Sequence, residues 1–376
     1  MLTAHRIDRT TRRPLLPLVA LACAIGCGDR TSTSRGPERA SRPDSAPRAN
    51  TAPHTATPAL EPPRRPLPPR RVLWVRGGSE RDTLLAYAVQ ATADSANLYV
   101  LDSGRGEIVA LRAASGTVAW RHTTAHPPRA LAALPNGGVA VADGDRRTIS
   151  LLDPAGRLVA TRTLPADTPP IRSLCALSTS HFLAATADTS RTLLELRSDA
   201  PPHTLPLPWP DLARRHFLTT QTLLASSSSA ADTGCAVALS LGRGFSTFDG
   251  TRFTSPARYV EPFDVPDITR TRFTDGDRTI TREQLSTDRD AARAITLANG
   301  RLLVSFGGET ALAAHIVDVY DPASGAYVGT TTIPHRVSTL AAHGRTLYIL
   351  YQRYGRPAVA ALLDTTTPPP ARLTRR

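Results

Sequence analysis

Four arginines, Arg129, Arg172, Arg293 and Arg336, are the residues whose type and spacing best suit ligand chemistry. Each stands at the start of a short apolar segment that follows a polar turn. A guanidinium group keeps its positive charge in proteins and offers five N–H donors in a planar fork, which suits carboxylate and phosphate groups. If the four segments are equivalent parts of one repeat, their first residues meet around a common axis. We then predict that the four side chains bind an anionic ligand there.

The sequence lacks the spacings that catalysis at a metal or by a nucleophile requires. Histidines occur singly, with neither an HExxH pair nor a Cys-x-x-Cys pair, so we predict no zinc site. Ser246 lies in GFSTF, which lacks the second glycine of the G-x-S-x-G turn. A G-x-x-x-x-G-K phosphate loop is excluded because the chain has no lysine. We therefore predict no catalytic residue, and a binding protein is favoured over an enzyme.

Two Asp-Gly-Asp turns are the places where a cation could bind. They start at Asp143 and Asp275. An EF-hand loop that began at Asp275 would need its closing glutamate where Ser286 stands, so that motif fails. We predict no cofactor and no metal ligand, and a weak Ca²⁺ site at either turn stays open as the alternative.

The net charge of +13 comes from arginine alone and is unevenly placed. Residues 1–71 contain 13 arginines against 5 acidic residues, whereas residues 72–363 contain 29 against 26. The body of the chain is therefore close to neutral. No basic run alternates with aromatic residues that could stack on bases, so nucleic acid is not an expected partner.

The N-terminus has the pattern of a targeting segment. Residues 1–13 carry four arginines, and an apolar run, LLPLVALACAI, starts at Leu15 and leads to a glycine and Cys27. A basic region followed by a short apolar region is typical of secretory signals. The ending resembles the bacterial lipoprotein signal, which implies removal of residues 1–26 and lipidation of Cys27. The alternatives are lipidation at Cys23 and an ordinary cleaved signal. We predict a lipid-anchored protein of the cell envelope, on the periplasmic or outer-membrane side.

Two segments are predicted to stay disordered. Residues 27–70 are rich in Pro, Arg, Ser, Thr and Ala and have few large apolar side chains. Their burial cannot offset the entropy lost on ordering, so we interpret them as a tether that holds the body away from the membrane. Residues 364–376, DTTTPPPARLTRR, form a disordered tail by the same reasoning.

Between these segments, residues 71–363 repeat one β-strand unit. Six apolar strands define the units, and they end at Asp102, Asp143, Asp188, Ser240, Phe306 and Tyr351. The intervals of 41, 45, 52, 66 and 45 residues suit four-stranded propeller blades. Apolar residues alternate and Gly or Pro interrupts the runs, which disfavours helical repeats. We predict an all-β fold, a six-bladed β-propeller of four-stranded antiparallel blades. The recurring aspartates are interpreted as caps of the turns that follow the strands.

The ends of the repeat predict how the ring closes. The strand at residues 71–75 has no blade of its own, and the sixth unit lacks its outermost strand. We predict that this N-terminal strand pairs with residues 359–363 and closes the ring, which removes an exposed sheet edge. The longest interval contains an insertion at about 255–292 with isolated aromatic residues. It is interpreted either as a lid over one mouth of the ring or as a surface decoration.

Three further residues bear on the packing between blades. Cys175 and Cys235 fall in neighbouring blades, and facing sheets lie about 10 Å apart, wider than a disulfide spans. Two buried free thiols are therefore the favoured expectation, with a disulfide as the open alternative. Trp120 ends a G-x-x-x-W segment that occurs once in the chain, so it is predicted to pack between blades.

Two units carry a family resemblance. GGVAVADGDRRTISLLDPAGRLV, from Gly137, resembles an NHL-type repeat, in which a strand ends in Asp and a polar turn leads to a second strand and D-x-x-G. DSGRGEIVALRAASG, from Asp102, is similar. The body as a whole resembles the six-bladed propeller lipoproteins of bacterial envelopes, which implies a monomeric scaffold that binds an envelope protein, a peptide or a glycan. The alternative is a propeller enzyme, lactonase-like or lyase-like, that works at the central channel with or without a divalent cation.

Overall fold

The computed structural model of this chain describes residues 64–365, with gaps at residues 80, 82, 125, 144–146, 189, 212–221, 227–233, 276–277, 287–288, 309 and 311. The predicted signal peptide, Cys27 and the tether as far as residue 63 lie outside the described residues. The predicted tail from residue 366 onward also lies outside them. The described residues form β-strands and no helix, so this part of the chain has no helical segment that could cross a membrane.

The first three blades follow β1 (Arg71–Gly77), and each consists of four antiparallel strands in chain order. Blade one contains β2 (Ala88–Ala93), β3 (Asn97–Asp102), β4 (Glu107–Arg112) and β5 (Val118–Thr123). Blade two contains β6 (Pro128–Ala133), β7 (Val139–Asp143), β8 (Thr148–Leu152) and β9 (Leu158–Thr163). Blade three contains β10 (Ile171–Ala176), β11 (His181–Thr186), β12 (Leu193–Arg197) and β13 (His203–Leu205).

The remaining blades repeat this order, with one hairpin between blades four and five. Blade four contains β14 (Thr222–Ser226), β15 (Cys235–Leu239), β16 (Gly244–Phe248) and β17 (Ala257–Arg258). The hairpin consists of β18 (Ile268–Asp275) and β19 (Arg278–Leu285). Blade five contains β20 (Ala292–Ala298), β21 (Arg301–Phe306), β22 (Ile316–Tyr320) and β23 (Tyr327–Thr332). Blade six contains β24 (Val337–His343), β25 (Thr346–Arg353) and β26 (Arg356–Leu363).

The ring closes through β1, as predicted. β1 pairs antiparallel with β26, with Arg71 opposite Leu363 and Val75 opposite Ala360, and thus supplies the outermost strand of blade six. The first strands of the blades, which we call the inner strands, contact one another in the order β2, β6, β10, β14, β20 and β24, and β24 contacts β2. The fold is therefore an all-β, six-bladed propeller.

The hydrophobic core is divided among the blade interfaces. Six clusters of buried apolar side chains occur in the part of the chain that the structure describes, and each joins two neighbouring blades. Strands such as β3 and β15 are buried on both faces, so NLYVLD and CAVAL have nearly continuous apolar runs instead of alternating ones. Every blade thus depends on its two neighbours to cover its faces, and blades one and six depend on the closure by β1.

Glycines in the turns before the outermost strands let neighbouring blades approach closely. Gly156, between β8 and β9, has φ +82°, and an added Cβ would lie 2.6 Å from the ring of Trp120. Trp120 on β5 of blade one donates its Nε1–H to the carbonyl oxygen of Pro154 at 2.9 Å. Trp74 on β1 packs over Gly116 of blade one in the same way. Trp120 therefore packs between blades, as predicted from the sequence.

Replacing Gly156 by alanine is expected to destabilise the protein through two separable effects. An L-residue at this φ costs about 1–2 kcal/mol, and overpacking against the Trp120 ring adds about 1–3 kcal/mol. Gly106 is the matched control, because its φ is +63° and no atom lies within 4 Å of an added Cβ. Urea unfolding of Gly156→Ala and Gly106→Ala should show a larger loss of unfolding free energy for the former. Equal losses would contradict the close contact with Trp120.

The insertion contributes to the ring itself. Its first residues form β17 and complete blade four, and Tyr259 and Phe263 are buried in the core between blades four and five. β18 and β19 then form a separate two-stranded sheet. The predicted alternatives of lid and decoration therefore do not apply to the start of the insertion, because its aromatic side chains close a blade interface.

Cys175 and Cys235 form a disulfide, so the expectation of two free thiols is wrong. Cys175 lies on β10, the inner strand of blade three, and Cys235 lies on β15, the second strand of blade four. Their Cα atoms are 6.0 Å apart. Blades radiate from a common axis, so neighbouring sheets converge toward their inner strands. The spacing of about 10 Å between stacked sheets therefore does not hold near the axis.

The predicted tether ends before residue 70, since residues 64–70 lie against the body. The N–H of Leu67 donates to the carbonyl oxygen of Thr330 at 2.8 Å, and the N–H of Thr330 donates to that of Arg65 at 2.8 Å, which extends blade five beyond β23. Leu67 also packs against the core between blades five and six. Asp364, the first residue of the predicted tail, likewise bonds to the body through its N–H. These backbone hydrogen bonds and the burial of Leu67 order residues whose composition alone predicts disorder.

Arg64 anchors this segment through a buried ion pair. Its Nη2 lies 2.6 Å from Oε2 of Glu261, and its Nε lies 3.5 Å from Oδ1 of Asp318. Its guanidinium group also lies over the ring of Phe306, 4.5 Å from the centroid. Thr330 donates to the same Oδ1 at 2.5 Å. Burial raises the pKa of Asp318, against the opposing effect of Thr330 and Arg64.

Candidate functional site

β-Bulges set the geometry at one mouth of the central channel. Near the start of the inner strand, five blades show a register shift, so that one residue of the inner strand has no partner on the second strand. These residues, which we call the bulge residues, are Val89, Arg129, Arg172, Arg293 and Ser338. In the described residues of blade four, β14 pairs without a shift. A bulge bends its strand and re-aims the side chain of the extra residue.

The bulge residues of five blades and Thr222 of blade four line a single cavity of about 300 Å³. All six inner strands thus contribute to it. Because every inner strand starts at this end of the ring, the cavity lies where the central channel opens. We call it the channel-mouth cavity.

Positive charge dominates the channel-mouth cavity. Arg129, Arg172 and Arg293 are the charged side chains of its lining, which contains no acidic residue among those described. Arg129 and Arg172 are exposed, and their side chains make no hydrogen bond or ion pair within the described part of the chain. The Nε of Arg293 is buried without a hydrogen-bond partner in that same part, 4.0 Å from Oδ2 of Asp290. The donors of these guanidinium groups are therefore available to an anion.

Arg336, the fourth predicted member, does not line the channel-mouth cavity. It precedes Ser338, which holds the equivalent bulge position of blade six, by two residues. Its neighbour His335 stacks on Tyr351 with the ring centroids 4.2 Å apart, and burial together with the charge of Arg353 lowers the pKa of His335. The structure therefore brings three of the four predicted arginines together and leaves Arg336 in the loop that enters blade six.

Hydrogen bonds between blades hold the walls of the cavity in place. Oε1 of Gln90 in blade one accepts the N–H of Leu131 in blade two at 2.8 Å. Oγ of Ser173 in blade three accepts the N–H of Leu224 in blade four at 3.2 Å. Side chains that fix neighbouring inner strands to one another position the bulge arginines on rigid elements, which is what a binding site requires.

The recurring aspartates have structural partners. The carboxylate of Asp102 is buried and accepts the N–H groups of Ala86 and Tyr87 at 2.7 and 2.8 Å. Asp188 accepts the N–H and the hydroxyl of Ser190, both at 2.7 Å, and these bonds lower its pKa. Asp188 therefore caps the turn that follows its strand, as predicted. Asp102 accepts the N–H of Gly104 in the following turn at 3.2 Å, but its shorter bonds hold the segment that precedes β2.

Acidic side chains are placed unfavourably for a cation. Among the described residues, no group of three or more His, Cys, Asp or Glu side chains could hold a metal ion. Residues 144–146 and 276–277 of the two Asp-Gly-Asp turns lie outside the described residues, so a weak Ca²⁺ site there stays open as the alternative. A divalent cation such as Ca²⁺ or Mg²⁺ requires oxygen ligands, mostly carboxylates, and three guanidinium groups repel it. The channel-mouth cavity therefore suits an anion.

Sequence reasoning missed Val89, Thr222 and Ser338 as parts of this site. They carry no charge, and only their register on the inner strands places them beside the arginines. An alignment of the inner strands from their first residues, Pro128 and Val337, would have placed Ser338, and not Arg336, at the position equivalent to Arg129.

Comparisons with known proteins identify neither a family nor a ligand for this chain. No protein-family model matches the chain, and no curated protein matches it. The β-propeller domain of Cps50 (Swd1) from Myceliophteria thermophila is 11% identical over 79% of this chain and 100% of that one, with a TM-score of 0.45. Virginiamycin B lyase from Staphylococcus aureus is 12% identical over 77% of this chain and 99% of that one, with a TM-score of 0.46. At these sequence identities and TM-scores, the two structures indicate neither a ligand nor a reaction for this chain. The fold is assigned from the strand pairing of this chain.

Proposed function

We propose that this protein is an extracytoplasmic β-propeller scaffold that binds an anionic ligand in the channel-mouth cavity. The observation that carries the proposal is the convergence of Arg129, Arg172 and Arg293 on one cavity with no acidic side chain in its described lining. The N-terminus resembles a bacterial lipoprotein signal, and the body resembles the six-bladed propeller lipoproteins of bacterial envelopes. These two resemblances support a place in the cell envelope, with a lipid on Cys27. No nucleic acid takes part, and the chain acts as a monomer.

The arrangement of the arginines defines the ligand's chemistry. Arg129 and Arg172 lie on neighbouring blades two and three, whereas Arg293 lies on blade five, which is opposite blade two in a ring of six. An anionic group between them is approached by guanidinium groups from both sides. The volume of about 300 Å³ equals the share of about ten water molecules, roughly the size of one sugar acid or one acidic amino acid. A glycan or peptide that carries carboxylates fits this description.

Binding of an acidic glycan tests the proposal. Galacturonate oligomers are the probe, and isothermal titration calorimetry measures their dissociation constant. Charge-assisted hydrogen bonds contribute about 1.5–3 kcal/mol each, so the double variant Arg129→Gln, Arg172→Gln should bind at least about 100-fold more weakly. Affinity of the unchanged protein should also fall as the salt concentration rises.

Arg336→Gln is the matched control, because Arg336 is exposed and lies outside the cavity lining. It removes the same charge from a neighbouring surface and should leave the affinity unchanged. Equal affinity of the double variant and the unchanged protein would overturn the proposal. Equal weakening by Arg336→Gln would show that the probe responds to overall charge and not to the cavity.

The lipid anchor is tested separately. Cys27→Ala should move the protein from the membrane fraction to the soluble fraction of its host, because acyl chains on Cys27 would supply the membrane affinity. Intact-mass measurement of the purified protein provides the second readout, since lipidation adds the mass of the acyl groups. Membrane association that persists in Cys27→Ala would contradict the anchor, and lipidation at Cys23 would then be examined with Cys23→Ala.

A further inference from the structure

A second cavity with an excess of arginine lies at the opposite end of the ring. It is formed between blades five and six, where the turns that follow β20 and β24 meet the segment before β1, and its volume is about 180 Å³. We call it the basal cavity. The inner strands end at the basal cavity, whereas they start at the channel-mouth cavity. The two cavities are therefore separate and share no lining residue.

Arg70 is the informative residue of the basal cavity. Its side chain is only 10% exposed, and its Nε is buried without a hydrogen-bond partner among the described residues. Its Nη2 lies 3.5 Å from Oδ2 of Asp364, which is a long contact for an ion pair. Burial lowers the pKa of Arg70, and Asp364 offsets this only in part. Buried polar groups in proteins are normally hydrogen-bonded, so the buried Nε–H of Arg70 indicates that an acceptor can bind there.

Two further arginines line the same cavity. Arg301 pairs with Asp321 at 3.1 Å, and Nη2 of Arg345 donates to the carbonyl oxygen of Asp364 at 2.6 Å. Asp364 lines the cavity and Asp321 lies just outside its lining, so two carboxylates oppose the three guanidinium groups. The basal cavity therefore has room for one more negative charge.

Most of the remaining wall is apolar, although Asn299, Thr331 and Thr346 also line the cavity. Leu67, Leu303, Val319, Val328, Ala342 and Leu347 line the cavity beside the arginines. An inorganic anion would satisfy the guanidinium groups but would leave this surface against water. A ligand with an anionic head and a short hydrocarbon body would satisfy both parts of the wall.

We propose that the basal cavity binds a small aliphatic carboxylate, with its head group at Arg70 and its hydrocarbon chain against the apolar wall. The volume of about 180 Å³ equals the share of about six water molecules, which corresponds to an acid of about four to six carbons. Since Leu67 and Arg70 precede β1, the bound acid connects the N-terminal segment with blades five and six. This site is independent of the function proposed for the channel-mouth cavity.

Calorimetric titration of the purified full-length chain with sodium hexanoate tests this proposal. Saturable binding is expected, and it should weaken at least about tenfold in Arg70→Met, which keeps an unbranched buried stem as far as the position of Nε but removes the donors. Arg301→Gln is the second variant, because its side chain is 39% exposed and its replacement leaves the core intact. It should weaken binding as well, so the test remains decisive if Arg70→Met does not fold.

Two controls separate this site from the alternatives. Arg172→Gln should bind hexanoate with unchanged affinity, although it weakens binding of the acidic glycan at the channel mouth. 1-Hexanol has the same number of carbon atoms without the charge and should bind at least tenfold more weakly than hexanoate. Absence of saturable hexanoate binding, unchanged affinity in both basal variants, equal affinity for 1-hexanol, or displacement by phosphate at equal concentration would each overturn the proposal.

Discussion

Removal of the disulfide by the double variant Cys175→Ala, Cys235→Ala is expected to lower the free energy of unfolding by about 4 kcal/mol. The two cysteines are 60 residues apart in sequence, and a cross-link over a loop of this length removes entropy from the unfolded chain worth about 3–4.7 kcal/mol. The bond joins the inner strand of blade three to the second strand of blade four. It therefore also holds together two blades whose connection includes residues 212–221, which lie outside the described residues.

Urea unfolding under oxidising and reducing conditions separates the cross-link from the packing. Reduced unchanged protein lacks the cross-link but keeps both sulfur atoms, whereas the double alanine variant lacks both. The loss on reduction should account for most of the total, and a smaller further loss should follow from the space left by two buried side chains. Identical unfolding midpoints of the oxidised and reduced protein would contradict the stabilising role of the bond.

Arg64→Met is expected to destabilise the protein by about 3–5 kcal/mol, because it leaves buried carboxylates without their cation. The side chains of Arg64 and Asp318 are 11% and 3% exposed. Their burial distinguishes this contact from the surface pair of Arg157 and Asp153, in which the arginine is 81% exposed. Arg157→Met is therefore the matched control, and its loss should not exceed about 1 kcal/mol. The measurement is the free energy of unfolding in urea at pH 7.

The pH dependence identifies the residue responsible. Arg64 is one of the groups that oppose the raised pKa of Asp318, so removal of Arg64 raises that pKa further. The folded variant then binds a proton more readily than its unfolded chain, and its stability relative to the unchanged protein increases as the pH falls. The difference in unfolding free energy between the unchanged protein and Arg64→Met should be largest at pH 7 and smaller toward about pH 5. Arg64→Met, Asp318→Asn should be more stable than Arg64→Met, and a difference independent of pH would contradict this account.

The fold could be predicted from sequence because its evidence is local and repeated. Each blade carries the same succession of apolar strand, polar turn and glycine, and the strand at 71–75 lacks a partner within its own unit. Closure by pairing of Arg71 with Leu363 followed from the need to cover an open sheet edge. The G-x-x-x-W segment that ends at Trp120 occurs once, which predicts a packing role, and the contact of Trp120 with Gly156 of the next blade confirms it.

The candidate site could be predicted only in part. Arg129, Arg172 and Arg293 were found because they recur at the starts of apolar strands, whereas Arg336 is two residues from the equivalent position. The bulge residue is the second residue of the inner strand in all five blades, whereas Arg336 precedes Val337, the first residue of β24.

The sequence by itself determined the class of fold, the number of blades and the way the ring closes, since strand alternation and turn residues are properties of neighbouring positions. The tertiary structure decided the contacts between residues far apart in the chain. It brought Cys175 within 6.0 Å of Cys235 where two blades converge, and it placed Arg64 beside Asp318, 254 residues away. Such contacts depend on the distances between blades and on the burial of side chains where blades meet. Neither quantity can be derived from the residue types within one segment of the sequence.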